Sequence, residues 1–327
     1  QNPFLSHWIN GRVINFLKVV HPNITETNIL IALRLFNSLF ALGTVIFCFL
    51  LTKEIIKSTL WQLLPTFLLT NTLMFVFLSA GLNYDNLVNF LCTASLYFLF
   101  LTLKEKSFIK NSLLWMIFIS LGTLVKFTVL PLALITLITW IIFLLRTRKK
   151  ICKSKINRYE IFLMIFLLPL LIGNFLIYGV NLIEYQSITP PCRAILTEEQ
   201  CELSPFEIRY RNSALEKKMT ISESIKQDYP NPLEYSIFVW PRNMLKSTFG
   251  ILGHKTYFPL HNLFFFQLLF YWSCVQGLVS FSNKKNISFI TISLLLITFF
   301  YSIVLFLKNY DTELIYGFWH FALQGRY

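Results

Sequence analysis

Arg34, Asp85 and Lys126 are ionisable residues set in, or at the ends of, otherwise apolar stretches. A charge at membrane depth costs about 2.5–3.5 kcal/mol on insertion scales, so it needs a partner or a function. One acid and two bases leave a net positive site, suited to an anionic ligand such as a phosphate. The competing reading is simple neutralisation, with Asp85 pairing with Arg34 or Lys126. Tyr316, Trp319, His320, Gln324, Arg326 and Tyr327 fall on the same face under the orientation derived below. An interfacial aromatic belt explains Tyr316 and Trp319 well, and Gln324 and Arg326 less well. Other chemistry finds no support: there is no P-loop, Gly-rich dinucleotide motif, HExxH or GxSxG. His7, His21, His254, His261 and His320 are scattered without metal-ligand spacing, so no metal centre and no cofactor is read from them.

The elements that position these residues follow from composition. The chain has 327 residues, 55% hydrophobic, 17% aromatic and 14% charged, with 34 Phe and a mean hydropathy of +0.59. Soluble domains are about 25% charged. A water-soluble enzyme, a disordered chain and a disulfide-dense mini-domain are excluded, and an all-α polytopic integral membrane protein is predicted. Spans need about 20 mostly apolar residues each. Eight candidate transmembrane helices result: 29–51, 61–81, 86–103, 112–125, 128–145, 161–180, 259–281 and 287–307. The short fourth and the fifth could be one helix, but charge decides against it. Segments 52–60, 104–110, 146–158 and 282–286 hold 14 of the 29 Lys and Arg residues, with Glu54, Glu105 and Glu160 in or beside them. The positive-inside rule puts all four on one side, which requires 112–125 and 128–145 to be separate spans turning at Lys126.

The organisation expected is the end of an outer loop at 1–28, six transmembrane helices over 29–180, an outer loop at 181–258, two transmembrane helices over 259–307, and an outer tail at 308–327 leading to further spans. The net charge of +13 then belongs to cytoplasmic anchors facing anionic lipid rather than to nucleic-acid binding. The start at Gln1 and the end at Gly325-Arg326-Tyr327 read as cuts in a longer chain. In the outer loop Cys192 and Cys201, with eight residues between them, would pair in an oxidising compartment, against the alternative of two free thiols. Ser204-Pro205-Phe206-Glu207 reads as a capping box opening a helix. Beyond Pro230, Leu233, Ile237, Phe238, Trp240, Met244, Leu245 and Phe249 fall mostly on one helical face. Such a helix either lies in the membrane interface or packs on other protein.

The arrangement resembles the GT-C glycosyltransferases, including the protein-mannosyltransferase and aminoarabinose-transferase branches, in a bacterial subset. Ala32-Leu33-Arg34-Leu35-Phe36-Asn37-Ser38-Leu39-Phe40 is similar to the opening of their second helix, and Asn83-Tyr84-Asp85-Asn86 to the acidic turn after the next outward helix. Leu121 to Thr128 resembles their short helix ending in Lys and an aromatic, and Gln324-Gly325-Arg326-Tyr327 a run that precedes further spans. The resemblance implies an inverting transferase that moves a sugar from a polyprenyl-phosphate carrier to a glycan, lipid or protein acceptor on the outer face of a prokaryotic plasma membrane. It implies Arg34, Lys126 and Arg326 at the phosphate, His320, Gln324 and Tyr327 at the acceptor or in the pocket, and Asp85 in support, orienting the acceptor or helping to hold a divalent ion. The family's general base is an acid just after a first helix that has no counterpart here; Glu26 does not match that motif and does not inherit the role. A transporter or flippase for a lipid-linked or anionic solute, and a non-catalytic relative, are the competing classes. The first predicts charges near the midplane and inverted repeats, whereas here the charges gather near one face.

Overall fold

The computed structural model describes residues 5–151, 156–203, 208, 219–226, 231–249, 251–253, 256–257 and 289–316. Among these, the chain is helical apart from turns and one short antiparallel strand pair, Ile251–Gly253 with Thr256–Tyr257. Six helices are long and apolar enough to cross a membrane: Glu26–Ile55, Tyr84–Leu103, Phe108–Val125, Phe127–Thr147, Arg158–Tyr185 and Phe289–Ile315. Thr59–Thr70 and Leu73–Ser79, bent by 66°, supply a seventh crossing if taken together. The chain is thus an all-α polytopic membrane protein. The predicted span at 61–81 is the bent one, and that at 259–281 lies outside the described residues.

The chain divides into two compact units, residues 1–71 with 76–190, and residues 72–75 with 191–327. The first is built from α1 (Leu5–Val20), α2 (Glu26–Ile55), α3 (Thr59–Thr70), α5 (Tyr84–Leu103), α6 (Phe108–Val125), α7 (Leu130–Ile151) and α8 (Arg158–Asn174), with the second half of α4 (Leu73–Ser79) leading into α5. Local chemistry fixes the helix ends. Asn83 caps α5 by accepting from the Asp85 N–H at 3.0 Å, satisfying one of the amides that a helix start leaves without partners. At α8, Asn157 and Glu160 close a reciprocal capping box at 2.9 and 2.8 Å.

Side-chain pairs give the helix directions. Phe40 meets Phe90, Phe47 meets Tyr97, and Glu54 meets Lys104, a constant offset that makes α2 and α5 parallel. A Cβ at Gly43 would sit 2.5 Å from the Phe90 ring, so glycine is what allows this approach. Phe108 with Phe143, and Ser112 with Trp140, are mirrored about Lys126, so α6 and α7 form an antiparallel hairpin. Leu113 and Ile117 cluster with Leu163 and Leu167, and Thr123 meets Asn174 and Tyr178 further along, so α8 runs parallel to α6. One end of this unit therefore carries Lys53, Lys57, Lys104, Lys106, Lys110, Arg146 and Arg158, and the opposite end carries Arg34, Asp85 and Lys126.

The segment read as loop before residue 29 contains α1, whose Asn10 Oδ1 accepts from the buried Asn37 of α2 at 3.1 Å. In the second unit Cys192 and Cys201 form a disulfide, with Cα atoms 5.8 Å apart. Helices α9 (Ile221–Lys226), α10 (Trp240–Phe249) and α11 (Phe289–Tyr316) meet around Tyr235, Tyr310 and Leu314. Ser224 shares a hydrogen bond with the Tyr310 hydroxyl at 3.1 Å. Of the apolar residues read as one face, Leu245 is buried and Trp240 packs on Phe306, while Leu233, Ile237 and Phe238 stay exposed. That face therefore packs on protein in part and leaves three apolar side chains uncovered. The capping box proposed at 204–207 lies outside the described residues.

Candidate functional site

Asp85 and Lys126 come together at an end where two antiparallel helices present opposite termini. Asp85 sits in the first turn of α5, and Lys126 is the residue immediately beyond the last turn of α6. Carboxylates are favoured at helix N-termini and ammonium groups at C-termini, each by about 0.3–1 kcal/mol at exposed sites. Lys126 Nζ donates to Asp85 Oδ1 at 2.8 Å, with the side chains 5% and 1% exposed. The Lys126 ammonium also lies 5.1 Å from the centre of the Tyr84 ring, a cation–π contact that strengthens where water is excluded.

The backbone at Lys126 explains why the charge can turn inward. It is extended, with φ −154° and ψ 128°, and ends α6 before a tight turn over Phe127–Val129 closed by Val129 N–H on Lys126 O at 3.1 Å. A Cβ at Gly122 would lie 3.3 Å from Val129 Cγ1, so that glycine gives the turn room to fold back. On the other side, the Asn86 amide donates to Leu78 O at 2.9 Å and Gly81 O at 3.4 Å, fixing the approach to α5.

Arg34 shares this level, because the α2–α5 offset sets it beside Tyr84 and Asp85. It does not share the contact. Leu33 and Asn37 take the inward face of α2, and Arg34 is exposed with no ion pair among the described residues. His320, Gln324, Arg326 and Tyr327 lie outside the described residues. No three of His, Cys, Asp and Glu come together to hold a metal among the described residues.

Reading the sequence for charge missed a neutral polar seam between α6 and α8. Thr123 donates to Asn174 Oδ1, Asn174 Nδ2 donates to Ser120 O at 3.1 Å, and the Tyr178 hydroxyl donates to Thr123 O at 2.6 Å. Its signal was present: Asn174 and Tyr178 are polar groups one helical turn apart within an apolar span.

Residues 19–172 match the family model of dolichyl-phosphate-mannose-protein mannosyltransferase. This covers just under half of the chain and includes Arg34, Asp85 and Lys126. No curated protein and no solved structure matches the chain. The family match and the sequence motifs at Arg34, Asp85 and Lys126 agree: over residues 19–172 the chain is similar to this family of GT-C membrane glycosyltransferases.

Proposed function

We propose that the protein transfers a sugar, with inversion, from a polyprenyl-phosphate carrier to a glycan, lipid or protein acceptor at the end of the first unit that holds Asp85 and Lys126. The carrying observation is that pair: a buried ammonium and carboxylate at the end of the unit opposite its own basic turns. By the positive-inside rule the basic end faces the cytoplasm of a prokaryotic plasma membrane and the Asp85 end faces outward.

The leaving group is a lipid phosphate, and positive charge aimed at it lowers the barrier more in a dry site than in water. Lys126 supplies this from within, and Arg34 reaches the headgroup from its exposed face at the same level. The family resemblance assigns Arg326 to the phosphate and His320, Gln324 and Tyr327 to the acceptor or pocket; all four lie outside the described residues. Asp85 holds Lys126 and orients the acceptor hydroxyl. Deprotonating that hydroxyl belongs to a separate acidic residue, as the family resemblance implies.

The test is sugar transfer by the complete protein in membranes. Asp85→Asn and Arg34→Ala should each lower transfer at least about 100-fold, on the scale of losing a transition-state charge contact, while insertion is unchanged. Normal transfer by both variants would sink the site. The break between α3 and α4 favours a second reading, since carriers of lipid-linked or anionic solutes use discontinuous helices. Solute or lipid translocation without sugar transfer would establish it.

A further inference from the structure

We infer that Tyr178 is a positioning residue for Lys126, fixing where α6 stops and so where the ammonium lies; its catalytic consequence rests on the transferase reading above. Once a helix ends, its last carbonyls have no partner within it. At α6, Lys126 N–H still closes on Gly122 O at 3.0 Å, and the next carbonyl, that of Thr123, receives the Tyr178 hydroxyl at 2.6 Å. The terminal turn of α6 is thus completed by a side chain from another helix. Three residues further on from Thr123, the chain turns inward at Lys126.

The backbone of α8 is specialised to deliver this hydroxyl. Phe175–Gly179 is a π turn, closed by Val180 N–H on Phe175 O. Such a turn adds one residue to the helical repeat and re-aims what it carries, and it recurs at functional sites for that reason. The Phe175 ring folds against Gly179, where an added Cβ would lie 2.7 Å from it. At the start of the turn, Asn174 grips Ser120 O and the Thr123 hydroxyl. Asn174 holds the body of the last turn of α6, and Tyr178 holds the Thr123 carbonyl within that turn. The second unit also has a π turn carrying a buried tyrosine, Tyr235 in Tyr235–Val239, but the Tyr235 ring packs against Tyr310 and Phe306.

The experiment uses the complete protein in lipid nanodiscs. Tyr178→Phe removes one oxygen and keeps the ring. Modification of Lys126 by a small amine-reactive reagent is quantified by mass spectrometry, with the exposed Lys57 as reference, beside kcat and KM for sugar transfer. Expected is a severalfold rise in Lys126 modification with Lys57 unchanged. A fall in kcat of about tenfold, or about 1.4 kcal/mol of barrier, is expected with little change in the acceptor KM. A merely structural role would change modification at both lysines, or kcat and KM together. Lys126 modification equal to wild type overturns the inference. If Tyr178→Phe cannot be recovered from membranes, Asn174→Ala loosens the same turn and should expose Lys126 in the same assay; no rise there also overturns it. Raised Lys126 modification in Tyr178→Phe, combined with full transfer by Asp85→Asn, supports the positioning role and rejects the transferase site.

Discussion

Lys126 and Asp85, 41 residues apart in the chain, meet at 2.8 Å because α5 begins where α6 ends. Each charge lies at the helix terminus whose dipole favours it, and each is almost wholly removed from solvent. Burying two charges is repaid only when both are held in good geometry, and a hydrophobic pair of the same volume is often as stable. That balance supports the proposed reading of the pair as a site.

Burial of both charges sets an energetic pattern. Asp85→Asn should destabilise the protein by about 3 kcal/mol, because Lys126 is left buried without its counter-charge. Adding Lys126→Met should recover most of that loss, since the unpaired ammonium is gone. Sugar transfer should stay at least as low in the double variant as in Asp85→Asn. Thermal unfolding in detergent and a transfer assay, run on both singles and the double, give the coupling directly.

Helix packing makes a separate prediction at two glycines. Gly43→Ala puts a Cβ into the Phe90 ring and should cost about 1–3 kcal/mol, the usual penalty for overpacking. Gly11→Ala meets nothing within 4 Å and should stabilise α1 by up to about 1 kcal/mol through helix propensity. Opposite shifts in unfolding temperature are expected from the two substitutions.

The disulfide should matter to the second unit alone. Reduction followed by alkylation should add mass at Cys192 and Cys201, and at neither residue without reductant. Replacing both by Ser should cost the second unit about 2.5 kcal/mol from chain entropy for so small a loop. Limited proteolysis of the loop before and after reduction measures it.

The crossings were legible in the sequence because length and hydropathy are what the bilayer selects. The break at Lys126 was legible because basic segments on both flanks require an even number of spans between them. The pairing of Lys126 with Asp85 was legible as one of two alternatives. What decided against Arg34 as partner is a rotation about the α2 axis: Leu33 and Asn37 take the inward face, and the neighbouring residue points out. Nothing in composition marks α1 as a helix held to α2, since its attachment is a tertiary contact, Asn10 with Asn37. The polar run Lys308, Asn309, Asp311 and Glu313 read as tail, yet it stays helical where Tyr310 and Leu314 pack beside Tyr235. The π turn that aims Tyr178 leaves no residue-type signal, because Phe175–Gly179 would equally suit an α-helix.

Mapping where a lipid phosphate binds tests the proposed site itself. A polyprenyl phosphate carrying a photoreactive group next to the phosphate would be cross-linked to the complete protein in membranes, and the labelled peptides identified. Labelling is expected at residues near Tyr84, Lys126 and Arg34, and should be lost when Lys126 is replaced by Met. Labelling confined to the basic end around Lys57 and Lys106, or unchanged in that variant, would contradict that site.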